Sequence, residues 1–317
     1  MRRFIVPFIA VLTAISCTDI PTEIDSPQFK KTAGNKIHVQ PPTGDPVQDH
    51  KNLKEALNAA QEGDVVELAA GRYQLEITLY ICDRDVPECG LYVSEAPTAN
   101  NITVKGHEDG TVIDGLEEAS DGLAGWMISG LTLREMTFQG FTRAAIGGFS
   151  VEDFTVTECE FLSDNLLAVF VAAQAEGVTI HKNVIEGSWA GIWVQQVSDG
   201  PITIRENQIS GVWSTQAIRV VNSSGEVRIE ENILIDNYRG IRNANNLDEV
   251  FIVENIIADS WLVGVRLDGG STTLKENQIT DTDGPGLCVA GGTFTLDEDV
   301  ITGNNPDVVI DPEDGCP

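Results

Sequence analysis

Thr179-Ile180-His181-Lys182-Asn183-Val184-Ile185 and Thr203-Ile204-Arg205-Glu206-Asn207-Gln208-Ile209 are two versions of one phrase, and the chain goes on repeating it. Arg228-Ile229-Glu230-Glu231-Asn232, Ile252-Val253-Glu254-Asn255, Leu274-Lys275-Glu276-Asn277 and Leu296-Asp297-Glu298-Asp299 follow. The column Asn183, Asn207, Asn232, Asn255, Asn277 and finally Asp299 recurs every 22 to 25 residues. A period of that size marks a solenoid whose coils stack and share one core. Around each Asn the apolar residues alternate with polar ones: Ile180, Ile204, Ile229 and Ile252 before it, Ile185, Ile209, Leu234 and Ile257 after it. Alternation with period two over such short runs means strands. An inward amide between two strands needs partners, since leaving one buried and unpaired costs about 1–3 kcal/mol. Stacking Asn on Asn in successive coils supplies them.

These residues resemble the right-handed parallel β-helices of the pectate-lyase-like superfamily, in which an asparagine ladder lines the tight turn between the second and third sheets. Cys159 and Met136 extend the column backward. The resemblance implies an all-β, right-handed, single-stranded parallel β-helix over residues 46–317 with a short N-terminal capping helix. It is specific for fold and carries little about activity.

Working outward to the chain start, Arg2 and Arg3 precede an apolar run from Phe4 to Ile15, then Ser16-Cys17. A basic head and a dozen or so apolar residues suit a secretory signal and are too short to span a bilayer. The small residues before Cys17 resemble a bacterial lipobox, which implies cleavage after residue 16, lipidation of Cys17 and an exported protein at the outer membrane or cell surface. Residues 17–45, rich in Pro, Thr, Ser and Lys, read as a tether. The capping helix is expected to open at Asn52-Leu53-Lys54-Glu55, which has capping-box spacing, and to stop at Gly63.

Twenty basic against 49 acidic side chains give a net charge of −29. Nucleic acid is excluded as a partner, because its binding rests on neutralising phosphates. Solubility of an exported monomer accounts for the acidity. No cofactor is expected; Ca2+ is the ion that such acidity would admit. Export permits disulfides, and Cys82–Cys89 and Cys288–Cys316 are the expected pairs, leaving Cys159 as a buried thiol on the Asn column.

A second motif follows each Asn turn: Gly191-Ile192-Trp193, Ala217-Ile218-Arg219, Gly240-Ile241-Arg242, Gly264-Val265-Arg266 and Gly286-Leu287-Cys288. By the resemblance this is the first sheet, on which polysaccharide-active β-helices carry their substrate groove. With the apolar position inward, Phe170, Trp193, Arg219, Arg242, Arg266 and Cys288 form an outward column, and the Gly or Ala two residues earlier would leave the surface beside it low. Arginines on adjacent rungs about 4.8 Å apart repel by about 0.9 kcal/mol per pair even in water. Either nearby Asp (Asp236, Asp259, Asp281 or Asp268) or an anionic ligand such as uronate carboxylates must offset that. Trp189, Trp213, Tyr238 and Trp261, each six residues after its Asn, could stack on sugar faces or pack the turn.

The candidate substrate-binding residues are therefore Phe170, Trp193, Arg219, Arg242, Trp189, Trp213 and Trp261. Two functions compete: an acidic-polysaccharide lyase, and a non-catalytic envelope β-helix that binds glycan or has an adhesive role. β-Elimination needs a cation on the uronate, a base and a proton donor; Arg266 or Tyr238 would be the base, as Arg is in pectate lyases. Asp281-Thr282-Asp283-Gly284 resembles a polygalacturonase motif, but the other motifs of that family do not follow it.

Overall fold

A computed structural model describes residues 34–92, 94–162, 166–198, 200–310 and residue 316. The signal residues and Cys17 lie outside the described residues. The chain winds as a right-handed parallel β-solenoid. The first sheet contains Leu79–Asp83, Asp121–Trp126, Ala144–Phe149, Leu167–Ala172, Ala190–Gln195, Gln216–Val221 and Arg239–Ala244, each pairing in parallel with the next coil. The second includes Glu176–His181, Ile202–Arg205, Val227–Glu230 and Glu249–Val253. The third is 10-stranded and includes Val184–Glu186, Gln208–Ser210, Ile233–Ile235 and Ile256–Ala258. Near the C-terminal end, Val263–Lys275 and Leu287–Asp297 run without a break from the first sheet into the second.

The Asn column is a ladder of hydrogen bonds. The main-chain N and side-chain Nδ2 of Asn183 both donate to Oδ1 of Asn207, at 3.0 and 2.9 Å. Asn207 does the same to Asn232, Asn232 to Asn255, and Asn255 to Asn277. The remaining Nδ2 hydrogen goes to a main-chain carbonyl of the preceding coil, such as Ile180 or Ile204. All five side chains are fully buried. Asp299 ends the series: its Oδ1 accepts from Asn277 N and Nδ2, and a carboxylate has no hydrogen to pass on. At the other end Cys159 donates its N–H to Asn183 Oδ1; it is a buried free thiol, and burial pushes its pKa up to about 12. The residue before each Asn (Lys182, Glu206, Glu231, Glu254, Glu276) is left-handed, with φ of 53–57°. That single inversion bends the chain from the second sheet to the third.

The N-terminal cap starts earlier than its sequence signals suggest. The helix is Pro46–Ala59, with Asp45 as N-cap accepting from Val47 N and Gln48 N. Pro46 suits the first turn because its missing N–H has no partner to lose there. Asn52 is therefore not a cap: it lies inside the helix and accepts from Gln48 Nε2. The helix stops at Ala59, before Gly63. Leu53, Leu57 and Ala60 belong to the common core. The solenoid also begins before residue 46, since Lys36–His38 pairs with Val65–Glu67, so the tether boundary at residue 45 is too late. Cys82–Cys89 and Cys288–Cys316 are both disulfides.

Candidate ligand-binding face

Strand register puts the expected outward column together. Gly147, Phe170, Trp193, Arg219, Arg242, Arg266 and Cys288 are successive partners across the first sheet. Cys288 is fully buried, because its disulfide brings Cys316 over that rung. The column thus offers three arginines and two aromatic rings to a ligand.

The small residues two positions earlier do not face outward, which corrects the expectation of a lowered surface. Ala145, Ala168 and Ala217 belong to the core. A Cβ on Gly240 would meet Ile257 Cγ2 at 2.7 Å, and one on Gly264 would meet Ile279 Cγ2 at 2.6 Å. Each strand therefore opens with two successive inward residues, such as Gly240 and Ile241, and the first must be small because a third-sheet side chain fills the space behind it. This break in alternation has a consequence for function. It turns the residue before the pair outward, so Arg239 and Gln216 join the face, and the sequence reading had not included them.

Arg219, Arg239, Arg242 and Arg266 lie near enough for their charges to act on one another, and two of them share a carboxylate. Asp268 Oδ2 accepts from Arg242 Nε at 2.7 Å, and Asp268 Oδ1 from Arg266 Nε at 2.8 Å. Arg266 Nη1 also donates to the Cys316 carbonyl at 2.7 Å. Asp236 and Asp259 do not serve this column. Asp236 instead accepts from the Trp261 indole at 2.9 Å. Arg219 stacks over the Trp193 ring, 4.0 Å from its centroid, and Arg239 lies over Tyr238 at 4.7 Å. Burial, then the charges of Arg242 and Arg266, holds the Arg219 pKa below the usual guanidinium range. Arg239 is lowered by burial first, with Arg266 and Arg242 adding to it. Both shifts mean that positive charge is disfavoured here as the site stands. Among the described residues, Arg219 Nε, Arg239 Nε, Trp193 Nε1 and Gln216 Oε1 are buried without a hydrogen-bond partner.

The aromatic residues divide into two groups. Phe170 and Trp193 on the outward column meet edge to face at 5.8 Å, Phe149 beside the column meets Phe170 in the same way at 5.7 Å, and Trp189 packs beside Phe170 and Trp193. Trp213 and Trp261 stand on the turn instead, 55% and 52% exposed. Their backbones step from rung to rung with Tyr238, through Trp213 N to Ser188 O, Tyr238 N to Val212 O and Trp261 N to Asn237 O. The expected base Arg266 has its donors turned to Asp268 and the Cys316 carbonyl. Among the described residues no three His, Cys, Asp or Glu side chains gather as a metal ion would need.

Residues 167–315 match the family model of the right handed beta helix region. The fold is also that of an alginate lyase from Paenibacillus sp. str. FPU-7, at 13% identity, with 86% of this chain and 99% of that one covered and a TM-score of 0.61. A mannuronan C-5 epimerase A-module from Azotobacter vinelandii aligns at 16% identity over 89% of this chain and 96% of its own, with a TM-score of 0.44. No curated protein matches. At these identities the likeness is one of fold.

Proposed function

We propose that the outer face of the first sheet binds an acidic polysaccharide, with Arg219, Arg239, Arg242 and Arg266 receiving its carboxylates. The observation that carries this reading is the pairing of Arg242 and Arg266 with one shared carboxylate, Asp268, beside Arg219 and Arg239, whose buried Nε donors, like the Trp193 indole, have no hydrogen-bond partner among the described residues. A buried unpaired donor costs about 1–3 kcal/mol, and a carboxylate removes that cost while forming charge-assisted bonds. The chain as a whole is strongly acidic, so a polyanion is repelled at long range and held by local contacts. The alginate lyase that shares the fold acts on such a polymer. Sugar rings would lie against Phe170 and Trp193, with Trp189, Trp213 and Trp261 along the side.

The reaction we assign to this face is β-elimination: the arginines hold the uronate carboxylate and so acidify the neighbouring C–H, Tyr238, whose ring lies beside the Arg239 guanidinium, takes that proton as the C=C bond forms and the glycosidic C–O bond breaks, and the proton passes to the departing oxygen. Arg266 serves as a positioning cation. The test is purified protein with a panel of polyuronates, read by absorbance of unsaturated products and, in parallel, by direct binding. Product formation that Tyr238→Phe abolishes is expected. Binding without product assigns the face to glycan capture alone, and neither binding nor product overturns the reading. Arg242→Ala should weaken binding roughly 10- to 150-fold, whereas Arg205→Ala, on the second sheet and paired with Glu206, should leave it unchanged.

Export and anchoring through Cys17 belong to the same proposal and rest on the N-terminal sequence. Cys17→Ser should abolish lipid labelling and release the protein from membranes. Wild-type protein found free in the medium would overturn the anchor.

A further inference from the structure

The same face continues past the arginines to a region of different chemistry. At the N-terminal end of the first sheet, Tyr80, Tyr92, Trp126 and Phe149 line a cavity of about 430 Å3 together with Arg143 and Glu95. Its outer wall is the segment that follows the Cys82–Cys89 loop, which brings in Tyr92 and Glu95. Glu95 is 3% exposed, pairs in register with Tyr80, and accepts from Tyr92 N at 3.0 Å. The floor is continuous with the arginine column, because Phe149 meets Phe170, Phe170 meets Trp193, and Trp193 carries Arg219.

The charges in this cavity differ from those of the arginine cluster. Arg143 is gripped through Nε and Nη2 by both oxygens of Asp121, a fully buried carboxylate. Its guanidinium lies 5.4 Å from the Phe149 ring centroid. With Arg143 paired to Asp121, the cavity offers no unpaired cation among the described residues, and Glu95 adds a carboxyl group to its lining. An anionic sugar is disfavoured there, while an uncharged ring finds aromatic faces on several sides and polar edges at Tyr80, Arg143 and Glu95 for its hydroxyls.

We propose that this cavity is a subsite for an uncharged sugar residue, separate in chemistry from the arginine cluster. A glycan spanning the whole face would place acidic residues on the arginines and an uncharged residue in the cavity. The cavity's own preference does not depend on the acidic-glycan reading.

The experiment is a crossed one. Wild type, Trp126→Ala, Tyr92→Ala, Arg242→Ala and Arg205→Ala are applied to an array of uncharged gluco-, manno-, galacto- and xylo-oligosaccharides and to oligouronates, at low and high salt. At least one uncharged series should bind wild type with little salt dependence. Trp126→Ala and Tyr92→Ala should each weaken it by about three- to tenfold, and Arg205→Ala, a control on the second sheet paired with Glu206, should not change it. Tyr92 is 66% exposed, so its replacement leaves the fold intact even if Trp126→Ala does not. The proposal is overturned if no uncharged oligosaccharide binds, if Tyr92→Ala leaves uncharged binding unchanged, or if the cavity variants weaken oligouronates alone. Failure of the acidic-glycan reading looks different: oligouronates would not bind, or would bind without regard to Arg242.

Discussion

Two stacks of identical polar residues run along this solenoid at the same rung spacing, and they have opposite fates. The asparagines from Asn183 to Asn277 are fully buried and fully bonded. Of the arginines Arg219, Arg242 and Arg266, all half-buried, the last two share one carboxylate and Arg219 leaves its buried Nε without a hydrogen-bond partner. The difference lies in the side chains themselves. An amide carries both donor and acceptor, so copies of it satisfy one another in a row. A guanidinium carries donors alone and a charge, so copies repel and the acceptor must come from elsewhere. Repetition makes a scaffold from the first residue and a demand for a partner from the second.

The comparison breaks most readily at its strong side. Asn232→Leu takes an acceptor from the N and Nδ2 of Asn207 and donors from Asn255 Oδ1 and the Ile204 carbonyl. Each buried group left unpaired costs about 1–3 kcal/mol, so a large fall in denaturation midpoint is expected, and an unchanged melting curve would remove the ladder from the account. The arginine side should respond the other way. Arg242→Gln should cost the free protein little, because it relieves repulsion along the column while Asp268 keeps Arg266, yet it should weaken acidic-glycan binding by roughly tenfold or more. If it unfolds the protein and leaves affinity untouched, the column is structural.

Asp268→Asn sharpens the contrast. Removing the shared carboxylate should destabilise the free protein by about 1–3 kcal/mol and tighten oligouronate binding, more so at low salt where screening is weak; a titration at two salt concentrations reads both signs. The smallest effect concerns a residue on neither stack. Burial, with Arg205 and Lys182 nearby, holds the His181 pKa below its usual value. Protonation therefore favours the unfolded chain: stability is complete above the ordinary imidazole range near pH 6.5 and falls as pH drops through it toward the folded value. His181→Gln should flatten that decline between about pH 7 and pH 5, measured by urea denaturation.

The scaffold was legible in the sequence because the ladder repeats with a period and the core alternates, and both signals survive variation in single residues. The buried Cys159 and the outward column from Phe170 to Arg266 were readable for the same reason, whereas the two disulfides were read from cysteines that flank one loop or lie near the chain end. Arg239 was not, since strict alternation puts it inside; the recurring Gly or Ala beside the inward Ile was the available sign that two inward residues come together. Asp268 was named among several acids, and spacing alone could not single it out, because its second partner, Arg242, is set by side-chain reach across a rung. The pairing of Arg143 with Asp121 and the cavity around it lie in the early coils, where the long excursion after Cys82 interrupts the period.

The two successive inward residues that open each first-sheet strand also separate inheritance of shape from inheritance of chemistry. Gly240 and Ile241 answer to the core, while Arg239 and Arg242 on either side of them answer to solvent. A lineage can therefore rewrite the flanking positions without disturbing the pair. It can also copy a whole coil between matching asparagines, which adds one more rung with its own blank outward letters. The length of what this face can hold is then set by gene duplication, and its taste by point mutation.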